Sequence, residues 1–137
     1  TADGHYFALV ALNCLNGNFA VPDEGVQSSS TGLAIPASLA ETFLLTNNRG
    51  AVAVWADSAY GFPSEYSVLA KHFYFFLLNQ GDPIGEAARG AIREAWFNPG
   101  LDSSGFEEGP ISRDLVYTIV FFGDPATQLM RPLFTPP

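Results

Sequence analysis

The only cysteine of the chain, Cys14, is its best candidate for covalent chemistry, and just two histidines, His5 and His72, are present as possible bases. A cysteine attacks as the thiolate and needs a neighbour, most often imidazole, to take its proton. Cys14 closes the apolar run Tyr6-Phe7-Ala8-Leu9-Val10-Ala11-Leu12 and opens the turn Asn13-Cys14-Leu15-Asn16-Gly17. An unbroken apolar run of this length reads as a strand over residues 6–13, buried on both faces as in a parallel sheet. Asn16-Gly17 ends it, since this pair favours turns with positive φ. Reacting groups in open α/β sheets gather just beyond the carboxyl ends of strands. A thiol there is well placed for catalysis, although a lone cysteine also serves often as a small buried hydrophobe.

Neither histidine completes a dyad by sequence reasoning. His5 precedes Cys14 on the same extended run, and at about 3.3 Å per residue the two stand roughly 30 Å apart. His72 lies between Lys71 and Phe73 in a helical pattern, where histidine is usually a solvated surface group.

The elements that must position Cys14 can be read from the pattern on either side. Residues 16–36 form a loop of about twenty residues, longer than compact domains normally carry without a functional reason. Ser38-Leu39-Ala40-Glu41 has the spacing of a capping box, and Leu39, Phe43 and Leu44 give the helix it starts an apolar side. Asn47-Asn48-Arg49-Gly50 suits a left-handed helix end. A second strand follows over Ala51–Ala56 and ends at Asp57-Ser58. Strand, helix, strand makes a βαβ unit, which brings Cys14 and Asp57-Ser58 to one sheet edge. Ser64 is placed to cap a helix reaching about Asn79, and Asp82-Pro83 to start another through Trp96 that stops at Asn98-Pro99-Gly100. Ser112 then opens a segment ending in Val120-Phe121-Phe122, for which a helix is expected although a strand is also compatible. Gly123-Asp124-Pro125 is turn chemistry, and residues 126–130 suit a short final strand.

Bulk properties narrow the function classes. The chain has 137 residues, 47% of them hydrophobic and 15% charged, which suits one domain with a true core (residues 1–137). Its net charge of −8 and scattered basic residues argue against nucleic acid as a partner. No apolar run reaches the roughly 20 residues of a transmembrane helix. One cysteine and two histidines exclude an internal disulfide and make a metal cluster improbable, so no cofactor is expected.

Several segments, taken in order, carry a family resemblance. Asn13-Cys14-Leu15-Asn16-Gly17-Asn18-Phe19 resembles the catalytic-cysteine segment of the gingipain-like cysteine peptidases. Ser38-Leu39-Ala40-Glu41 resembles that family's helix start, Gly50-Ala51-Val52-Ala53-Val54 its second strand, and Phe122-Gly123-Asp124-Pro125-Ala126 its segment near the domain end. The resemblance implies a caspase-like three-layer α/β/α sandwich with a mostly parallel sheet, incomplete in this chain. It also implies hydrolysis of peptide bonds through a Cys14 thioester, and a secreted or cell-surface protein. The Cys14 backbone N–H would help bind the oxyanion. In that family the histidine base lies upstream, in a Gly-His-Gly turn that these residues do not contain. The expectation is therefore a partner segment, upstream or on a separate chain, that completes the sheet and supplies the base.

By the same resemblance, Asp57, Ser58 and Trp55 are candidate substrate-binding residues, with Tyr60 a possible pocket wall. An acidic Asp57 there would favour Arg or Lys side chains, whereas an ordinary turn aspartate is the alternative. The rival to a peptidase is a catalytically inactive domain of the same fold serving as a structural or binding subunit.

Overall fold

The computed structural model describes residues 6–19, 38–46, 50–100 and 109–129. His5, most of the 16–36 loop, Asn47-Asn48-Arg49 and residues 101–108 lie outside the described residues. Strand β1 (Phe7–Ala11) is followed by helix α1 (Leu39–Leu45), strand β2 (Ala51–Asp57), helix α2 (Pro63–Tyr74) with a π-helical continuation over Phe75–Gln80, helix α3 (Ile84–Phe97), helix α4 (Arg113–Thr118) and strand β3 (Ile119–Gly123). The fold class is mixed α/β.

The sheet has three strands in the order β1-β2-β3. β1 runs parallel to β2, with Ala11 opposite Ala56. β3 runs antiparallel to β2, with Ile119 opposite Asp57. Among the described residues the sheet is thus mixed rather than mostly parallel. The difference arises in the segment expected to be one helix to Phe122. Ser112 does cap a helix, its Oγ accepting from the Leu115 N–H at 3.2 Å, but that helix ends at Thr118. Ile119-Val120-Phe121-Phe122 is β-branched and aromatic, and it gains more by pairing with β2 than by continuing a helix. β1 is also shorter than expected and lies at the sheet edge, half-buried instead of buried on both faces.

β2 is the central strand and the most buried, and its alternation sorts the core. Ala53 and Trp55 face a cluster built with Tyr66, Leu69 and Phe73 of α2 and the alanine stripe of α3. Val54 and Ala56 face Ala40 of α1, with Phe43 and Leu44 packed against them. Period-two alternation on a fully covered strand explains why its sequence is apolar throughout.

The helix ends show how local chemistry sets the frame. The Ser38 capping box is complete: Ser38 Oγ accepts from Glu41 N–H at 3.3 Å, and the Ser38 N–H donates to Glu41 Oε2 at 2.8 Å. Two expected caps are displaced. α2 begins at Pro63 with Phe62 in the cap position, so Ser64 lies inside the first turn. α3 is preceded by Pro83, and Asp82 does not cap it. Its first N–H groups are met from outside the helix, by the carbonyls of Thr127 and Pro125 at 2.9 and 3.0 Å. The Gly-Asp-Pro-Ala segment and the Thr127 that follows it supply them, shaped by an Asx turn in which Asp124 Oδ1 accepts from Ala126 N–H at 2.9 Å. Residues 126–129 are accordingly a loop and form no strand.

Candidate functional site

Parallel pairing puts the carboxyl ends of β1 and β2 side by side, and Cys14 stands three residues past the end of β1. The turn carrying it is fastened to the segment leaving β2. Leu15 N–H donates to Ala59 O at 2.9 Å and Gly17 N–H to Asp57 O at 2.8 Å. On its other side, Ala40 N–H at the start of α1 donates to Asn16 O at 2.9 Å.

The backbone inside this turn differs from the expectation. The left-handed residue is Leu15, with φ of 64°, not a member of the Asn-Gly pair. A leucine there carries strain on the order of 1 kcal/mol, which the flanking hydrogen bonds hold in place. Gly17 serves a different need, a close approach. A Cβ on it would meet Ala56 O at 3.0 Å and Ala56 Cβ at 3.1 Å.

Cys14 is exposed, and its Sγ lies 3.7 Å from the Gly61 carbonyl oxygen. Among the described residues the Cys14 N–H makes no hydrogen bond. Directly behind the thiol is a pair that sequence reasoning missed. The Tyr66 hydroxyl donates to Asp57 Oδ2 at 2.6 Å, and Asp57 Oδ1 accepts from Ala59 N–H at 3.0 Å. Burial first, then the Asp57 carboxylate it serves, and then the neighbouring Cys14 thiol hold the Tyr66 phenol well above its ordinary value. The phenol therefore keeps its proton, and remains a donor to Asp57, throughout the neutral range. Gly61 closes the space between these groups, since a Cβ there would collide with the Tyr66 hydroxyl and reach within 3.0 Å of Asp57 Oδ2.

The candidate pocket residues are placed as follows. Asp57 is fully buried, with both oxygens engaged, so its carboxylate faces inward. Ser58 is half-buried and donates both its N–H and its hydroxyl to Thr118 O, at 2.9 and 2.8 Å, tying the end of β2 to the α4–β3 junction. Trp55 is a core residue, stacked on Phe73 with ring centroids 4.9 Å apart. Tyr60, in contrast, is open to solvent at the rim. His72 is committed elsewhere, its Nε2 lying 3.3 Å from Pro99 O past the end of α3. No group of His, Cys, Asp and Glu among the described residues is arranged to hold a metal ion.

The ordered cysteine turn, capping box, second strand and Gly-Asp-Pro-Ala loop all occupy one frame, and comparison with known families agrees. The sequence model of peptidase family C25 matches residues 1–130. The chain belongs to that family. Neither a curated protein nor a solved structure shows significant similarity to it. Family C25, the gingipain family, is one of cysteine peptidases acting on proteins, which makes the lone cysteine of this member the first residue to examine.

No helix among the described residues is long and apolar enough to cross a membrane.

Proposed function

We propose that this C25 member is the cysteine-bearing, carboxyl-terminal part of an endopeptidase catalytic domain, with Cys14 as nucleophile. The observation that carries this reading is the exposed Cys14 thiol at the carboxyl rim of β1, on a turn fastened to the end of β2. The thiolate adds to the scissile carbonyl, and the amine leaves as the thioester forms. Water then hydrolyses the thioester and frees the thiol. The Cys14 N–H, without a hydrogen-bond partner among the described residues, supports a role as oxyanion donor. The imidazole that moves the protons comes from polypeptide outside these residues: His72 faces Pro99 O, and His5 precedes Cys14 by nine positions in the sequence.

The same reading assigns the whole catalytic domain a caspase-like three-layer sandwich and a secreted or cell-surface location. The half-exposed edge strand β1 supports pairing with an upstream segment or a separate chain, which would complete the sheet. Substrate runs along the rim formed by the Cys14 turn and the Ser58–Phe62 segment, with exposed Tyr60 and Phe62 as apolar contacts. Asp57 and Trp55 act from beneath this rim: Asp57 through Tyr66 and the Ala59 amide, Trp55 through its stack on Phe73.

The test is peptide-bond cleavage by the full-length protein and its Cys14→Ala variant. Loss of at least about a thousandfold in kcat/KM is expected for removal of a covalent nucleophile. Undiminished cleavage would take Cys14 out of the reaction.

A further inference from the structure

Away from the cysteine, α3 and α4 enclose an open groove of about 680 Å3. On α3 its wall is a second stripe beside the buried alanines: Arg89, Ile92, Arg93, Trp96 and Phe97, spaced i, i+3, i+4, i+7, i+8. Ile92 packs partly against the core, while Trp96 is 37% and Phe97 71% exposed. α4 answers with Arg113, Val116 and Tyr117, the last 77% exposed.

The chain carries −8 overall with only six basic residues, yet three of those six line this one surface, and its lining among the described residues includes no carboxylate, the glutamates that pair with two of the arginines standing beside it. The Arg113 side chain makes no ion pair or hydrogen bond among the described residues. Arg89 and Arg93 pair with Glu86 and Glu94; the side chains of the Arg89 pair are 69% and 53% exposed, and an exposed pair of this kind is weak, whereas Glu94 in the Arg93 pair is partly buried. Guanidinium groups beside exposed aromatic rings suit carboxylates carried next to large apolar side chains. Eight residues of α3 span about 12 Å, the length of roughly four residues of extended peptide.

We propose that the α3–α4 groove docks a short, extended peptide segment of a partner protein in which acidic residues alternate with leucine or aromatic residues. This surface is distinct from the Cys14 rim, and the proposal stands whether or not Cys14 is the nucleophile.

The experiment titrates fluorescein-labelled dodecapeptides, glutamate alternating with leucine and phenylalanine, with the full-length Cys14→Ala protein, which removes cleavage by Cys14 from the readout. Saturable binding followed by anisotropy is expected. Arg113→Gln and Tyr117→Ala should each weaken it about tenfold with the circular dichroism spectrum unchanged, and Arg113→Lys should retain most of it. The same peptide with lysine in place of glutamate should not bind. The proposal is overturned by absence of saturable binding, or by Arg113→Gln and Tyr117→Ala proteins that bind as tightly as the protein without those substitutions. It is also overturned by equal competition from a single-stranded oligonucleotide, since the groove would then read charge alone. Sedimentation showing a dimer that Arg113→Gln dissociates would assign the groove to a second copy of the chain instead.

Discussion

Tyr66 illustrates what one hydroxyl does beneath the rim that carries Cys14. It satisfies one oxygen of the fully buried Asp57, whose other oxygen takes the Ala59 N–H. Tyr66→Phe leaves that oxygen without its donor, at a cost of about 1–3 kcal/mol, to be read from urea unfolding at neutral pH. The phenol is held above its ordinary value in the folded state, so its contribution is fully present below the unfolded tyrosine value of about pH 10. It is lost as pH rises through the higher folded value. The stability gap between the parent protein and Tyr66→Phe should therefore be constant from pH 7 to 9 and shrink above about pH 10; a gap constant to pH 11 would contradict the assignment. The position of Cys14 just past the end of β1 was legible in the sequence because an apolar run and a turn motif bracket it. Tyr66 was not, because at helical spacing it reads as one more apolar-face residue, and only the fold turns its hydroxyl toward an aspartate nine positions earlier.

At the level of elements, caps and turns transferred well from sequence where the bonding groups are close along the chain. The Ser38-Leu39-Ala40-Glu41 box is formed as its spacing requires, and Ser38→Ala should cost about 1 kcal/mol, measured by thermal or denaturant unfolding. An unchanged stability would mean that packing of Ala40 and Phe43 on the sheet alone secures α1. The reading failed where tertiary partners decide. Asp82 has the right chemistry for a cap, yet α3 receives its acceptors from Pro125 and Thr127, some forty residues away in sequence. Ser112 marks where α4 starts but carries no information about its length, and the pairing of Ile119–Gly123 with β2 ends the helix after Thr118. The Gly-Asp-Pro-Ala segment, legible as a turn, acquires its structural meaning only from the helix whose start it covers.

For the whole molecule, the central β2 and its two covered faces were foreseeable from an uninterrupted apolar run, while the open edge at β1 was foreseeable only as a need for company. The backbone N–H and C=O groups of β1 that point away from β2 are where a completing segment would pair, and half-exposed Leu9 and Val10, on opposite faces of the strand, would be covered further by it. Hydrogen exchange of the amides of residues 7–11 should slow at least about tenfold when the upstream polypeptide is present, as paired strands gain protection; equal exchange would argue that β1 is a true edge. The account as a whole turns on which atom attacks the substrate. Its most direct test is to treat the full-length protein with a peptidyl acyloxymethyl ketone and map the adduct by mass spectrometry. The account predicts a single thioether at Cys14 Sγ, formed in step with loss of cleavage and absent from Cys14→Ala. Cleavage lost through an adduct on another residue, with Cys14 unmodified, would contradict it.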